Sequence, residues 1–112
     1  MYYSDMDMYQ ALADPTRRHI LEILAKKGKL PASDIYSQFS VSAPAISQHL
    51  KALREAKLVD MEKKAQQHIY TINPKQISEL EQWIHQMTMQ WNARFDRLEK
   101  VLAEEQRKEV KK

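Results

Sequence analysis

Ser42-Ala-Pro-Ala-Ile-Ser-Gln-His-Leu-Lys-Ala-Leu-Arg-Glu-Ala56, with Leu58-Val-Asp-Met-Glu-Lys63 and Gln67-His-Ile-Tyr-Thr-Ile72 close behind it, is the stretch on which the fold turns. Ser42 is a good helix cap. Ile46, Leu50 and Leu53 then recur at i, i+4 and i+7, which puts them on one face of a helix running to about Lys57. The two segments that follow are rich in β formers and are joined by a polar turn around Lys64-Ala65-Gln66, so they read as a hairpin. Upstream, Leu30, Ile35 and Phe39 suggest a short helix starting near Pro31, and Ser40-Val41 is a tight turn. Two short helices with a connection of about three or four residues make a helix-turn-helix. A hairpin directly behind that pair gives the layout of a winged helix, a more specific signal than either part alone.

Working outward, Asp14-Pro15 starts the preceding helix: an Asp cap, then a proline at the first helical position, where its missing N–H is not needed. Ile20, Leu21, Ile23 and Leu24 form its buried stripe, and Lys26-Lys27-Gly28 ends it with bases in the last turn and a glycine beyond. A shorter first helix, about Ser4 to Ala13, carries Met8 and Leu12 at helical spacing. Pro74 opens the last helix, expected over about residues 75–106. The expected fold class is therefore mainly α with a small β-hairpin, a single domain over residues 1–112.

The last helix reads as an association surface. Ile77, Ile84, Trp91 and Leu98 recur every seven residues; Leu80, Met87 and Val101 form a second row, interrupted by Arg94, and Phe95 and Leu102 widen the stripe. Packing against its own small domain would leave Trp91, Phe95, Leu98 and Leu102 in water, so a second chain is expected to cover them. Leu12 with Ile84, Met87, Trp91, Phe95 and Leu98 are the expected dimerisation residues.

Charge is uneven along the chain. Residues 1–14 hold three acids and no bases, residues 15–73 ten bases against five acids, and residues 74–112 eight against seven. The basic part is thus the part with the helix-turn-helix and hairpin, as expected for a surface that meets phosphate. With Ile46, Leu50 and Leu53 inward, Pro44, Ser47, Gln48, Lys51 and Glu55 turn outward. Ser47 and Gln48 can hydrogen-bond base edges, and Lys51 can meet phosphate or a guanine edge. Ser42 and Ala43 precede them at the helix start. The hairpin adds Lys63, Lys64, Gln66, Gln67 and His68; these lysines supply sequence-independent affinity or blunt a sheet edge. Arg17 and Arg18 can touch backbone phosphate or pair with nearby acids.

Several function classes are excluded. The chain has no cysteine, which removes disulfides, thiolate nucleophiles and thiolate metal sites and is consistent with a reducing, cytoplasmic home. No apolar run approaches a membrane span, and Met1 to Gln10 carries Asp5 and Asp7 without Lys or Arg, unlike a signal or transit peptide. His19, His49, His68 and His85 fall on four elements without paired metal-ligand spacing, and no glycine-rich phosphate loop or nucleophile–base pair is visible. Neither catalysis, a metal nor a cofactor is expected. The expected partner is double-stranded DNA. Two alternatives stay open: a winged helix that docks a protein through its fourth helix, and a regulator with a small-molecule effector bound between paired last helices, where Trp83, Met87 and Trp91 line the space.

Ala11-Leu-Ala-Asp-Pro-Thr-Arg-Arg-His-Ile-Leu-Glu-Ile-Leu24 and Ser42 to Ala56 with Leu58-Val59 together resemble the ArsR/SmtB family of bacterial winged-helix repressors, over about residues 8 to 102. The resemblance implies a homodimer joined through the first and last helices and repression of a promoter. Metal-sensing members carry Leu-Cys-Val-Cys-Asp where this chain has Leu30-Pro31-Ala32-Ser33-Asp34, and the last helix offers His85 alone. Trp83-Ile84, Trp91 and Phe95-Asp96-Arg97-Leu98 are similar instead to a cysteine-free subgroup with an aromatic-rich last helix. Three local departures stand out. Lys57 takes the place of a helix-end glycine, Ser40 that of a turn glycine, and Ala65-Gln66 that of Gly-Arg at the wing tip.

Overall fold

The computed structural model describes residues 6–110, the side chains of residues 109 and 110 excepted. It divides into two units, residues 1–77 and residues 78–112. The first unit holds helices α1 (Met8–Leu12), α2 (Pro15–Lys27), α3 (Ala32–Tyr36) and α4 (Ala43–Glu55) and strands β1 (Leu30–Pro31), β2 (Val59–Lys64) and β3 (Gln67–Ile72). Helix α5 runs from Pro74 to Val110. Helix α1, expected over about Ser4 to Ala13, begins only at Met8, because Asp7 caps it there in extended backbone; Ser4 and Asp5 of that expected span lie outside the described residues. Helix α5 continues four residues past its expected end.

Helices α1, α2 and α4 each begin at a side-chain cap. Asp7 caps α1 with a full capping box, its carboxylate accepting from the Gln10 N–H at 2.8 Å while the Gln10 side chain accepts from the Asp7 N–H at 3.0 Å. The Asp14 carboxylate accepts from the Thr16 and Arg17 N–H groups at 2.8 and 3.1 Å, with Pro15 at the first helical position of α2. Ser42 accepts from the Ala45 N–H at 3.3 Å and starts α4. Helix α2 ends at Gly28, whose φ of 87° lies in the left-handed region and whose N–H reaches the Leu24 carbonyl at 2.7 Å.

These helices converge on one core. Ile20, Leu21 and Leu24 of α2, Ile35 of α3, and Ile46, Leu50 and Leu53 of α4 are buried together with Ala11, Ala56, Leu58, Val59 and Tyr70. The i, i+4, i+7 row of α4 is thus its inner face, and Ile23 of α2 is only half-buried. Tyr70 brings the sheet into this core. Burial raises the ionisation of its phenol above the ordinary value of 10.0, while the Arg54 guanidinium, hydrogen-bonded to it from α4, opposes that rise.

The sheet differs from a bare hairpin. Its order is β1-β3-β2, all antiparallel, with Leu30 opposite Tyr70 and Pro31 opposite Ile69. Helix α3 starts at Ala32 with Pro31 at its cap position, near the expected start, and Leu30 and Pro31 ahead of it form a short edge strand that the sequence pattern does not predict. Helix α3 then has five residues and stops before Phe39, so six residues separate it from α4 rather than three or four. The wing pairs Val59 with Ile72 through Lys64 with Gln67, and closes on the two-residue turn Ala65-Gln66.

Two residues other than glycine are left-handed among the described residues: Lys57, with φ 62°, and Ala65, with φ 56°. Lys57 follows the end of α4, and the Leu58 N–H reaches back to the Leu53 carbonyl at 3.0 Å, closing the helix as a glycine normally would. Ser40, read as a third such position, has no positive φ; the longer α3–α4 connection spreads the turn over more residues. Lys57→Gly should remove a steric cost of about 1–2 kcal/mol, partly offset by the freer unfolded chain. The expected result is a gain of about 0.5–1 kcal/mol. A urea midpoint that rises with unchanged slope would show it; no rise would mean that the left-handed Lys57 is not strained.

Candidate nucleic-acid interface

The capped start of α4 is also its exposed part. Ser42, Ala43, Pro44, Ser47, Gln48 and Lys51 are all exposed, while Ile46, Leu50 and Leu53 beneath them are at most 1% exposed. Burial of the apolar row leaves the helix no rotational choice, so these polar side chains form a fixed outward row along its first half. The row offers a hydroxyl, an amide with both donor and acceptor, and an ammonium: the chemical set that reads base edges and meets phosphate in a major groove. Lys51 lies 4.0 Å from Glu55, one turn on. With the lysine side chain 75% exposed, that pair holds it weakly.

A second exposed set sits at the wing tip. Lys63 faces His68 across the hairpin and Lys64 faces Gln67, with Gln66 in the turn. None of these side chains serves the core. Ala65 occupies the left-handed position and carries only a methyl group outward, so the tip presents cations from its strands and an amide from its turn.

Arg17 belongs to neither set. Its Nε donates to the Ala11 carbonyl at 2.8 Å, its Nη2 to the Gln10 carbonyl at 3.1 Å, and its Nη1 lies 3.3 Å from His49 Nδ1. Arg18 Nη1 donates to the Leu12 carbonyl at 2.7 Å. The two arginines therefore satisfy the last carbonyls of α1, the negative end of that helix, from the first turn of the next. Of the two sequence-based expectations, phosphate contact or pairing with acids, the second holds in part, since the charge of Arg17 also acts on Asp14. A cap between helices depends on their crossing, which periodicity does not carry.

The same joint orders Asp14. Partial desolvation pushes its carboxyl up, but hydrogen bonds from the Arg17 and Thr16 N–H groups, with the charge of His49 in its protonated form and that of Arg17, outweigh this and hold it below 3.8. Of the remaining histidines, His19 stacks edge-on against Phe39 with ring centroids 5.1 Å apart. Among the described residues no group of three or more His, Cys, Asp or Glu is placed to hold a metal ion, and no helix is long and apolar enough to cross a membrane.

On α5, Ile84, Met87, Trp91, Phe95 and Leu98 are 43–60% exposed, and Trp91 and Phe95 meet edge-to-face at 5.3 Å. Leu12 on α1 is half-buried and packs against the core of the first unit.

A helix-turn-helix with a polar outward row on its second helix, followed by a charged β-wing, defines a winged helix-turn-helix DNA-binding regulator. Residues 14–61 match the model of the arsR family of bacterial regulatory proteins. The chain is 36% identical over 78 residues to the transcriptional repressor SdpR of Bacillus subtilis, covering 70% of this chain and 86% of that one. It is 40% identical over 79 residues to the HTH-type transcriptional regulator Rv2034 of Mycobacterium tuberculosis, covering 70% and 73%. An ArsR-like transcriptional regulator from Rhodococcus sp. RHA1 superposes with a TM-score of 0.72 at 26% identity, over 83% of this chain and 87% of that one. The chain belongs to the ArsR family.

Asp14→Ala should cost about 1 kcal/mol at neutral pH through loss of the α2 cap. Because the folded carboxyl ionises below 3.8, its contribution is complete above that value and disappears as pH falls through the folded value. Denaturation of both proteins at pH 7 and pH 2.5 should show the gap between them narrowing in acid. A gap that widens in acid would contradict this account of the joint.

Proposed function

We propose that the chain is a cytoplasmic transcriptional repressor that binds duplex DNA as a homodimer, without cofactor, on an imperfect palindrome. The single observation that carries the reading is the outward row Ser47, Gln48 and Lys51 on a helix whose opposite face is wholly buried. In this reading α4 enters the major groove, Ser47 and Gln48 specify bases, and Lys51, Lys63 and Lys64 supply charge. Ser42, Ala43 and Pro44 bring the helix start against the phosphate backbone, and Gln66 meets the DNA at the wing. Repression, as against activation, is supported by the related chains named as repressors, SdpR among them.

The dimer joins through α1 and α5, with Leu12, Ile84, Met87, Trp91, Phe95 and Leu98 in the interface. The apolar residues exposed at helical spacing along α5 support this, since so much greasy surface on one helix is costly in water. A two-fold dimer places two recognition helices in successive major grooves, which sets half-site centres roughly 34–36 Å apart.

DNA selected from a random pool by the purified protein supplies the probe for the first test. Gln48→Ala should cost about 1–3 kcal/mol and relax preference at one base position per half-site. Lys64→Ala should weaken all sequences alike and flatten the salt dependence. Unaltered preference in Gln48→Ala, with base choice changed by wing substitutions, would overturn the assignment of the reading helix.

Light scattering after size exclusion tests the assembly. A species of twice 13.2 kDa is expected at tens of micromolar, and removal of residues from Gln90 onward should abolish it together with DNA binding. A clean monomer of the full chain would refute the dimer.

A further inference from the structure

His49 is the one histidine on α4, and it sits between Gln48 of the outward row and Leu50 of the core. It is half-buried, and its Nδ1 lies 3.3 Å from Arg17 Nη1. A guanidinium can only donate. The ring nitrogen facing it must therefore accept, which requires the neutral imidazole with its proton on Nε2. Arg17 is itself fixed by the Ala11 and Gln10 carbonyls and emerges from the turn that Asp14 caps. A continuous chain of polar contacts thus runs from the end of α1, through Arg17, to the residue beside Gln48.

We infer that His49 is a positioning residue, the neutral acceptor through which the α1–α2 joint holds the outward row of α4, so that protonating His49 weakens specific DNA binding. The inference rests on α4 being the reading helix. A proton on Nδ1 removes the acceptor and sets an imidazolium against Arg17, the cation that faces it from α2. Asp14, at the cap of α2, is an anion whose charge couples to His49; its carboxylate already accepts from the Thr16 and Arg17 N–H groups. Helix α1 carries no charged residue from Met8 to Leu12. On α4 itself the neighbours one turn away are Ala45, Ile46, Ala52 and Leu53, none of which ionises.

The direction is diagnostic. Acidification normally strengthens DNA binding, because it adds positive charge to the protein. Loss of the His49 acceptor works against it. His49→Gln keeps an acceptor oxygen and does not titrate, whereas His49→Leu keeps bulk and has no acceptor.

Fluorescence anisotropy with the selected DNA, at constant ionic strength from pH 8 to pH 5.5, tests the inference. His49→Gln should match the wild type at pH 8. As pH falls, the wild type should lose roughly fivefold in affinity relative to His49→Gln, the size expected for one hydrogen bond. His49→Leu should show the loss already at pH 8, with native circular dichroism. Parallel pH profiles of the wild type and His49→Gln would overturn the inference, whatever the behaviour of His49→Leu. Gln48→Ala in the same assay separates the two readings: altered base preference there with parallel His49 profiles sinks the positioning role alone, while unaltered preference sinks the reading helix.

Discussion

Burial of Ile46, Leu50 and Leu53 is the constraint from which the rest of this protein follows. Once those three side chains are driven out of water, α4 has one orientation about its axis, and the identities of its outward residues become a functional statement. The surrounding elements are arranged to receive that row: Ile20, Leu21 and Leu24 from α2, Ile35 from α3, and Tyr70 from the sheet. A core of this size has little redundancy. Shortening any one of these side chains would leave a cavity felt at the outer face as well as in stability.

The second organising feature is the joint between α1 and α2. Ala13-Asp14 allows no room for separate terminations, so one turn of chain ends one helix and begins the next. Asp14 serves the amides ahead of it, and Arg17 and Arg18 serve the carbonyls behind it. The arrangement uses opposite ends of two helix dipoles at once. It also explains two adjacent arginines in the first turn of α2.

Periodicity and caps made most of this legible in the sequence. The stripe of α4, the Asp14-Pro15 start, the Gly28 stop and the hairpin itself all rest on local rules that tertiary context did not override, though the turn has two residues where three are expected. The left-handed Lys57 was legible too, because the chain must turn there between a helix end and a buried Leu58-Val59. Strand β1 was not. Two residues, one of them proline, carry no alternation to detect, and they become a strand only because β3 passes beside them. The shortness of α3 has the same origin. At the interface, the outward row of α4 followed directly from its inward row, as did the exposed lysines of the wing. The place of Arg17 did not, since a guanidinium that reaches across three elements is defined by their packing and not by neighbours in the chain.

The wing is unevenly held. Near its base Val59 and Tyr70 are anchored in the core, whereas every side chain from Glu62 to His68 is exposed and the tip turns on a left-handed alanine. Only the ladder of backbone hydrogen bonds supports that outer part. Opening the hairpin from the tip should therefore cost far less than unfolding the domain. The result is a lever with a stiff root and a compliant end, whose tip can shift without disturbing the helix beside it.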